Sequence, residues 1–140
     1  HPKDAVFLAY LGEQALARRD YAAAEKQYVA ALELQPYNVV LLNNLAWVKG
    51  QLRRGGALDL AEKANSLAPS QPTLMDTLAM LLADKNDFKR AIEVQNKALD
   101  LQPANANLRL NLAKIYIKSG DKARAKAELE TLEKLGDRFV

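Results

Sequence analysis

The sequence contains no cysteine, which excludes disulfides, thiol catalysis, iron–sulfur clusters and zinc sites with cysteine ligands. Its one histidine is His1, so the usual general base and the commonest metal ligand are missing from the body of the chain. There are three serines, Ser66, Ser70 and Ser119, and no internal histidine to activate any of them. Gly50, Gly55 and Gly56 form neither G-x-G-x-x-G nor G-x-x-x-x-G-K-[ST], so no phosphate loop is present. These absences predict a chain that is not an enzyme and that holds no metal or cofactor. Long apolar runs are lacking as well. The longest uncharged run, Leu34 to Val48, contains Pro36, Asn38, Asn43 and Asn44 and is too short and too polar to span a bilayer. No direct membrane insertion is expected of it.

An excess of charge in one place is also missing. The net charge is +3. Residues 1–70 hold eight Lys/Arg and seven Asp/Glu, and residues 71–140 hold twelve and ten. A nucleic-acid footprint would cluster its basic residues on one face or along one helix. Mixed signs read instead as solvated helix surfaces, and no nucleic-acid partner is expected. Arg53-Arg54-Gly55-Gly56 offers an anion a helix N-terminus; the plainer reading is a flexible interhelix turn with solvated arginines.

What the chain does have is a globular composition, 49% hydrophobic and 26% charged over 140 residues, enough for one compact domain or one short repeat array. It opens on His1-Pro2-Lys3 without an initiator methionine, which reads as a piece of a longer protein. Its prolines are periodic. Pro36, Pro69 and Pro103 each follow an Ala/Leu-rich segment, 33 and 34 residues apart. Leu11-Gly12, Leu45-Ala46, Leu78-Ala79 and Leu112-Ala113 recur on nearly the same period, as do the turns at Asp20, Asp87 and Asp121. The second period is one residue shorter, with Gly55-Gly56-Ala57 at its turn.

Each period splits into two halves with apolar residues at helical spacing, such as Leu8, Leu11, Ala15 and Leu16, then Ala24, Tyr28, Ala31 and Leu32. Asp20, Asp87, Asp121, Asn38 and Asn105 are placed as N-caps, and each proline falls just beyond a helix. No segment alternates as a strand would. The pattern predicts eight helices, over 4–17, 20–34, 38–52, 56–67, 72–84, 87–101, 105–118 and 121–135. Gly12, Ala46, Ala79 and Ala113 on the first helices, with Ala24, Ala57, Ala91 and Ala125 on the second, are small enough to let backbones approach closely.

A helix–turn–helix unit of 34 residues resembles the tetratricopeptide repeat. That family places large apolar residues at repeat positions 4, 7, 11 and 24, small ones at 8, 20 and 27, and proline at 32. Repeat 5–38 matches with Leu8, Leu11, Gly12, Ala24, Tyr28, Ala31 and Pro36. Repeat 39–71 matches with Leu42, Leu45, Ala46, Ala57, Ala64 and Pro69. Repeat 72–105 matches with Met75, Leu78, Ala79, Leu82, Ala91, Ala98 and Pro103, and repeat 106–139 with Leu112, Ala113, Tyr116, Ala125 and Leu129. Ala15, Lys49, Gln95, Arg109 and Leu132 depart from the pattern. The resemblance implies an all-α fold, a right-handed α-solenoid of about four repeats and eight helices forming a single array over 1–140.

It also implies a function that lies in shape. The first helices line a concave groove that takes a protein or peptide segment. The groove positions carry Tyr10 and Glu13 in the first repeat, and Val40, Asn43, Asn44 and Trp47 in the second. The third supplies Thr73, Asp76, Thr77 and Met80, and the fourth Asn107, Asn111 and Lys114. Asn44 and Asn111 share repeat position 6, where an amide both donates to and accepts from a peptide backbone; the alternative is a pair of surface asparagines with local bonds. Trp47 is either a stacking anchor in the groove or a space-filler between helices. The residues matching the family's chaperone-carboxylate clamp read Ala9, Glu13, Asn44, Thr73 and Thr77, which lack the required cations and argue against that mode. A different class of function is a structural spacer or self-association module with an empty groove. Leu129, Leu132 and Leu135 on the last helix have no later helix to cover them, which makes that end a candidate for weak self-association.

A narrower resemblance rests on Asn43-Asn44-Leu45-Ala46-Trp47, Leu60-Ala61-Glu62-Lys63-Ala64, Ala68-Pro69-Ser70 and Asp76-Thr77-Leu78. These strings are similar to bacterial tetratricopeptide-repeat lipoproteins of the PEP-CTERM/exosortase sorting and exopolysaccharide system. Leu135-Gly136-Asp137-Arg138-Phe139 is similar to the stretch before a final helix there. That resemblance implies a periplasm-facing, outer-membrane-anchored parent with this chain as its C-terminal part; without it the chain would be cytoplasmic.

Overall fold

A computed structural model describes residues 4–138. In these residues the chain folds as eight α-helices with no strand: α1 (Ala5–Ala17), α2 (Tyr21–Leu34), α3 (Val39–Gln51), α4 (Ala57–Leu67), α5 (Pro72–Asp84), α6 (Phe88–Leu101), α7 (Ala106–Ser119) and α8 (Lys122–Arg138). The helices start where short polar side chains satisfy orphan amides. Asp20 accepts from the Ala23 amide at 3.1 Å, Asn38 from Val40 and Leu41 at 3.0 and 3.2 Å, Asn105 from Leu108 at 3.2 Å and Asp121 from Arg124 at 3.1 Å. Asp87 does the same for Arg90 at 3.4 Å. Pro72 opens α5 at its first position, where a missing N–H costs nothing.

One turn geometry recurs inside every helix pair. Arg19, Arg53, Asn86 and Gly120 have φ of 59°, 57°, 64° and 89°. The amide after each of them donates back to a carbonyl five residues earlier: Asp20 to Ala15, Arg54 to Lys49, Asp87 to Leu82 and Asp121 to Tyr116, all at 2.9 Å. This closes the helix end with a left-handed residue and pairs otherwise orphaned carbonyls. Three of the four positions hold a side chain where glycine would be unstrained. Sequence patterning located these turns but gave no hint that Arg19 and Arg53 adopt a left-handed backbone.

The largest contacts are within the pairs α1–α2, α3–α4, α5–α6 and α7–α8, followed by α2–α3 and α6–α7. Contacts group the helices into two compact units, one ending at Pro69 and the other beginning at Ser70. In the first, Ala15, Ala24, Tyr28, Ala31, Leu41, Leu45 and Val48 form a buried cluster. In the second, Met75, Ala98, Leu99, Leu108, Leu112, Tyr116 and Ala125 do so. All eight small residues named from the sequence are buried. At Gly12 the reason is explicit. A Cβ there would stand 2.7 Å from Cε1 of Tyr28, so the Tyr28 ring rests directly on the α1 backbone.

One expectation is corrected. Helix α8 runs to Arg138 rather than ending at 135. Glu133, Lys134 and Leu135 are good helix formers, and Gly136 alone, with no proline or cap, is too weak a breaker to end the helix. Residues 135–138 are therefore helical; Phe139 and Val140 lie outside the described residues. On α8, Leu129 is exposed while Leu132 and Leu135 are half-buried, so the face that carries them is partly open.

Gly12→Ala should cost about 1–3 kcal/mol by overpacking the Tyr28 ring. Gly120→Ala should cost about 1 kcal/mol through backbone strain alone, because nothing lies within 4 Å of a Cβ there. Gly55→Ala, in open space with an ordinary backbone, should stay within about 0.5 kcal/mol of the parent. Urea midpoints for the three variants test this ordering.

Candidate functional site

The candidate residues sit on the first helix of each pair, and the two units differ. In the first unit, Tyr10 and Val40 are 51% and 59% exposed on α1 and α3. Trp47 is 40% exposed and packs edge-on against Tyr21 of α2, with ring centroids 5.6 Å apart and planes at 76°. It is thus neither a buried space-filler nor a free ring. One edge is held by Tyr21 and the remainder faces solvent. Glu13 is exposed and Asn44 half-buried.

Asn43 departs from expectation. It is only 8% exposed, and its buried Oδ1 has no hydrogen-bond partner. One step along a helix rotates a side chain by about 100°, which separates Asn43 from its neighbour Asn44. Thr77 is corrected likewise: it is 6% exposed, and its hydroxyl donates to the Thr73 carbonyl of the preceding turn at 3.3 Å. The Asn43 Oδ1 and the Thr77 hydroxyl are thus not offered to a ligand.

Beneath the α1–α3 face lies Tyr28, fully buried. Burial pushes its phenol up to about 12; the Glu13 carboxylate adds to the rise and the Asn44 amide opposes it. The Asn44 contact falls short of hydrogen-bond geometry, and the hydroxyl has no partner among the described residues.

In the second unit the corresponding place is polar and hydrogen-bonded through its amide nitrogens. Gln95 stands at repeat position 24, where Tyr28 stands in the first repeat, and it too is fully buried. Its Nε2 donates to Asp76 Oδ1 at 2.7 Å and to the Leu108 carbonyl at 2.9 Å. Asn111 Nδ2 donates to both oxygens of Asp76 at 3.0 Å. The two asparagines at repeat position 6 are therefore not equivalent. Asn111 is committed to Asp76, while Asn44 makes no side-chain hydrogen bond of good geometry among the described residues. Further along the same helices, Lys118 pairs with Asp84, so α5 and α7 run side by side in the same direction. Met80 is half-buried, and Thr73, Asn107 and Lys114 are exposed on this face.

Sequence reasoning missed three polar partners. Glu25 receives Lys49 at 3.2 Å and Arg54 at 3.0 Å, so Arg54 is ion-paired while its side chain remains exposed. Arg109, which breaks the apolar pattern, pairs with Glu128 at 2.7 Å and donates to the Pro103 carbonyl at 3.3 Å. Lys63 lies 4.8 Å from the centre of the Tyr37 ring. Among the described residues, no group of three or more metal-ligating side chains forms, and no helix is long and apolar enough to cross a membrane.

Residues 82–137 match the family model for the tetratricopeptide repeat. MamA from Desulfovibrio magneticus RS-1 superposes on 97% of this chain and 77% of its own with a TM-score of 0.83 at 20% identity. The fold is that of the tetratricopeptide repeat. YrrB, described as a tetratricopeptide-repeat protein with an unusual peptide-binding site, covers 96% of this chain and 70% of its own, with a TM-score of 0.77 at 18% identity. A small glutamine-rich tetratricopeptide repeat-containing protein 2 from Mycosarcoma maydis is 29% identical over 103 residues, 73% of this chain. The chain spans less than a third of the length of the curated relatives it matches.

Raising the pH from about 10 to about 12 should destabilise the fold through Tyr28. Its folded-state pKa lies above the ordinary value of 10.0, so the unfolded chain loses this proton first and the contribution present below pH 10 disappears by about 12. Tyr28→Phe should flatten that alkaline loss. At neutral pH it should match or exceed the parent by up to about 1 kcal/mol, because a buried hydroxyl without a partner is removed. Denaturation midpoints across this pH range provide the check.

Proposed function

We propose that the chain is a non-catalytic scaffold that binds an extended protein segment along the exposed faces of its first helices. One observation carries the reading: Tyr10, Val40 and Trp47 leave an aromatic and apolar surface open on α1 and α3, beside an Asn44 amide with unused hydrogen-bonding capacity. Aromatic anchors contribute most of the energy at protein interfaces, and an amide both donates to and accepts from a backbone without reading its sequence. The peptide-binding description of YrrB supports the same reading by analogy of fold.

A finer reading places the parent protein in a bacterial envelope sorting or exopolysaccharide system. It is supported by the strings Asn43–Trp47, Leu60–Ala64 and Asp76–Leu78. A lipoprotein signal on the parent's precursor and exosortase genes beside its own would support that assignment; a cytoplasmic parent would remove it.

Trp47 is the single tryptophan, so its emission reports occupancy of the α1–α3 face. Decapeptides selected from a random library should shift that emission saturably. Asn44→Ala should weaken the selected peptides about two- to tenfold, the equivalent of one lost hydrogen bond, with helicity by circular dichroism unchanged. If no selected peptide binds, the scaffold reading fails; if binding survives Asn44→Ala unchanged, Asn44 is not the backbone contact.

A further inference from the structure

Asp76 is the one carboxylate on the α5–α7 face that is held entirely by neutral donors. Gln95 and Asn111 occupy three of its acceptor directions, and a carboxylate has about four. One direction on Oδ2 is left. Every hydrogen-bond partner it has among the described residues is an amide, so its negative charge is solvated on one side only and matched by no cation. Asp84, two turns along, is by contrast paired with Lys118. Lys114, the cation next along α7 from Asn111, is exposed and makes no ion pair among the described residues.

The direction of the amides follows from the carboxylate. It only accepts, so both side chains turn their NH2 groups toward it. That leaves the oxygens behind. Asn111 Oδ1 faces away from Asp76, and Gln95 Oε1 is buried without a partner. The cluster thus presents a negative charge with one acceptor direction left on Oδ2 of Asp76. A side chain that only donates fits, and among these the guanidinium is planar, delocalised and forked to meet a carboxylate and an adjacent oxygen together. Met80 lies one turn from Asp76 on the same helix face and is half-buried, which provides apolar surface for the methylene stem of such a side chain.

Gln95 strengthens the argument. A fully buried glutamine at a position the repeat pattern reserves for a large apolar residue is costly unless hydrogen-bonded. Both of its N–H groups converge on fixing the site: one holds Asp76, the other holds the Leu108 carbonyl at the start of α7. The sequence departs from the pattern at the residue that orients this carboxylate.

We propose that Asp76, positioned by Gln95 and Asn111, is the recognition point for an arginine side chain of the extended partner segment. This rests on the scaffold reading above and adds to it the chemistry of the partner. The same random decapeptide selection, run on the full chain and on Asp76→Asn, tests it. The parent should enrich arginine at one fixed peptide position. Asp76→Asn, which keeps the shape and both amide partners' surroundings, should lose that enrichment while still selecting peptides. Asp76→Lys should enrich aspartate or glutamate instead. Replacing the enriched arginine by citrulline, which is isosteric and uncharged, should weaken a selected peptide about tenfold or more on the unmodified protein; this arm requires no variant to fold. Peptides selected without arginine, or bound equally well with citrulline, would overturn the proposal and leave the scaffold reading standing. A library yielding no binder at all would overturn both.

Discussion

The close approach of two helices within a pair governs the rest of this structure. Each helix of a pair offers one residue with little or no side chain at the crossing, and the neighbouring large residue fills the space that this leaves. At Gly12 the fit is so tight that the Tyr28 ring occupies the place of the missing methyl. Such a crossing demands a short, stiff connection. The recurring left-handed turn supplies it, with its 2.9 Å bond back to the helix end in all four pairs. Caps at Asp20, Asn38, Asp87, Asn105 and Asp121 then fix where the next helix begins. Close packing, turn and cap are thus one device repeated, and consistency among them makes the fold legible and robust.

The informative residues are those that break the device. Tyr28 and Gln95 occupy the same repeat position in different units, both fully buried. The tyrosine supplies bulk and leaves its hydroxyl without a partner. The glutamine supplies less bulk and spends its amide on Asp76 and the α7 backbone. Arg109 makes a similar exchange with Glu128. Since a buried polar group is tolerated only when its bonds are made, these substitutions convert a packing position into an orienting one. The consequence reaches the surface: α1 and α3 present aromatic and aliphatic side chains, whereas α5 and α7 present a held carboxylate, an asparagine and lysines.

Two asparagines at equivalent positions illustrate how context assigns a role. Asn44 lies beside the Tyr28 phenol, which has no partner among the described residues, and its amide remains uncommitted. Asn111 has a carboxylate one helix away, and its N–H groups turn to it. An amide so committed has less donor capacity left for a ligand, which changes the class of partner group it receives best.

The sequence by itself determined the number, order and boundaries of the helices, the eight small contact positions and five N-caps, because these depend on local periodicity and on side chains bonding to backbone within a few residues. The expected limits fall within one residue of the observed ones except at the end of α8, where a single glycine proved too weak a stop. The sequence also put Val40 and Trp47 on one face of α3, two turns apart, while leaving open whether Trp47 is buried. Only the tertiary structure decided that Asn43 and Thr77 are buried, that Arg54 answers Glu25 on another helix, and that Asp76, Gln95 and Asn111 meet. Those residues are separated by 19 and 35 positions. Their hydrogen bonds require contact between helices to within a few tenths of an ångström, and periodicity specifies which face a side chain occupies but not which distant side chain meets it there.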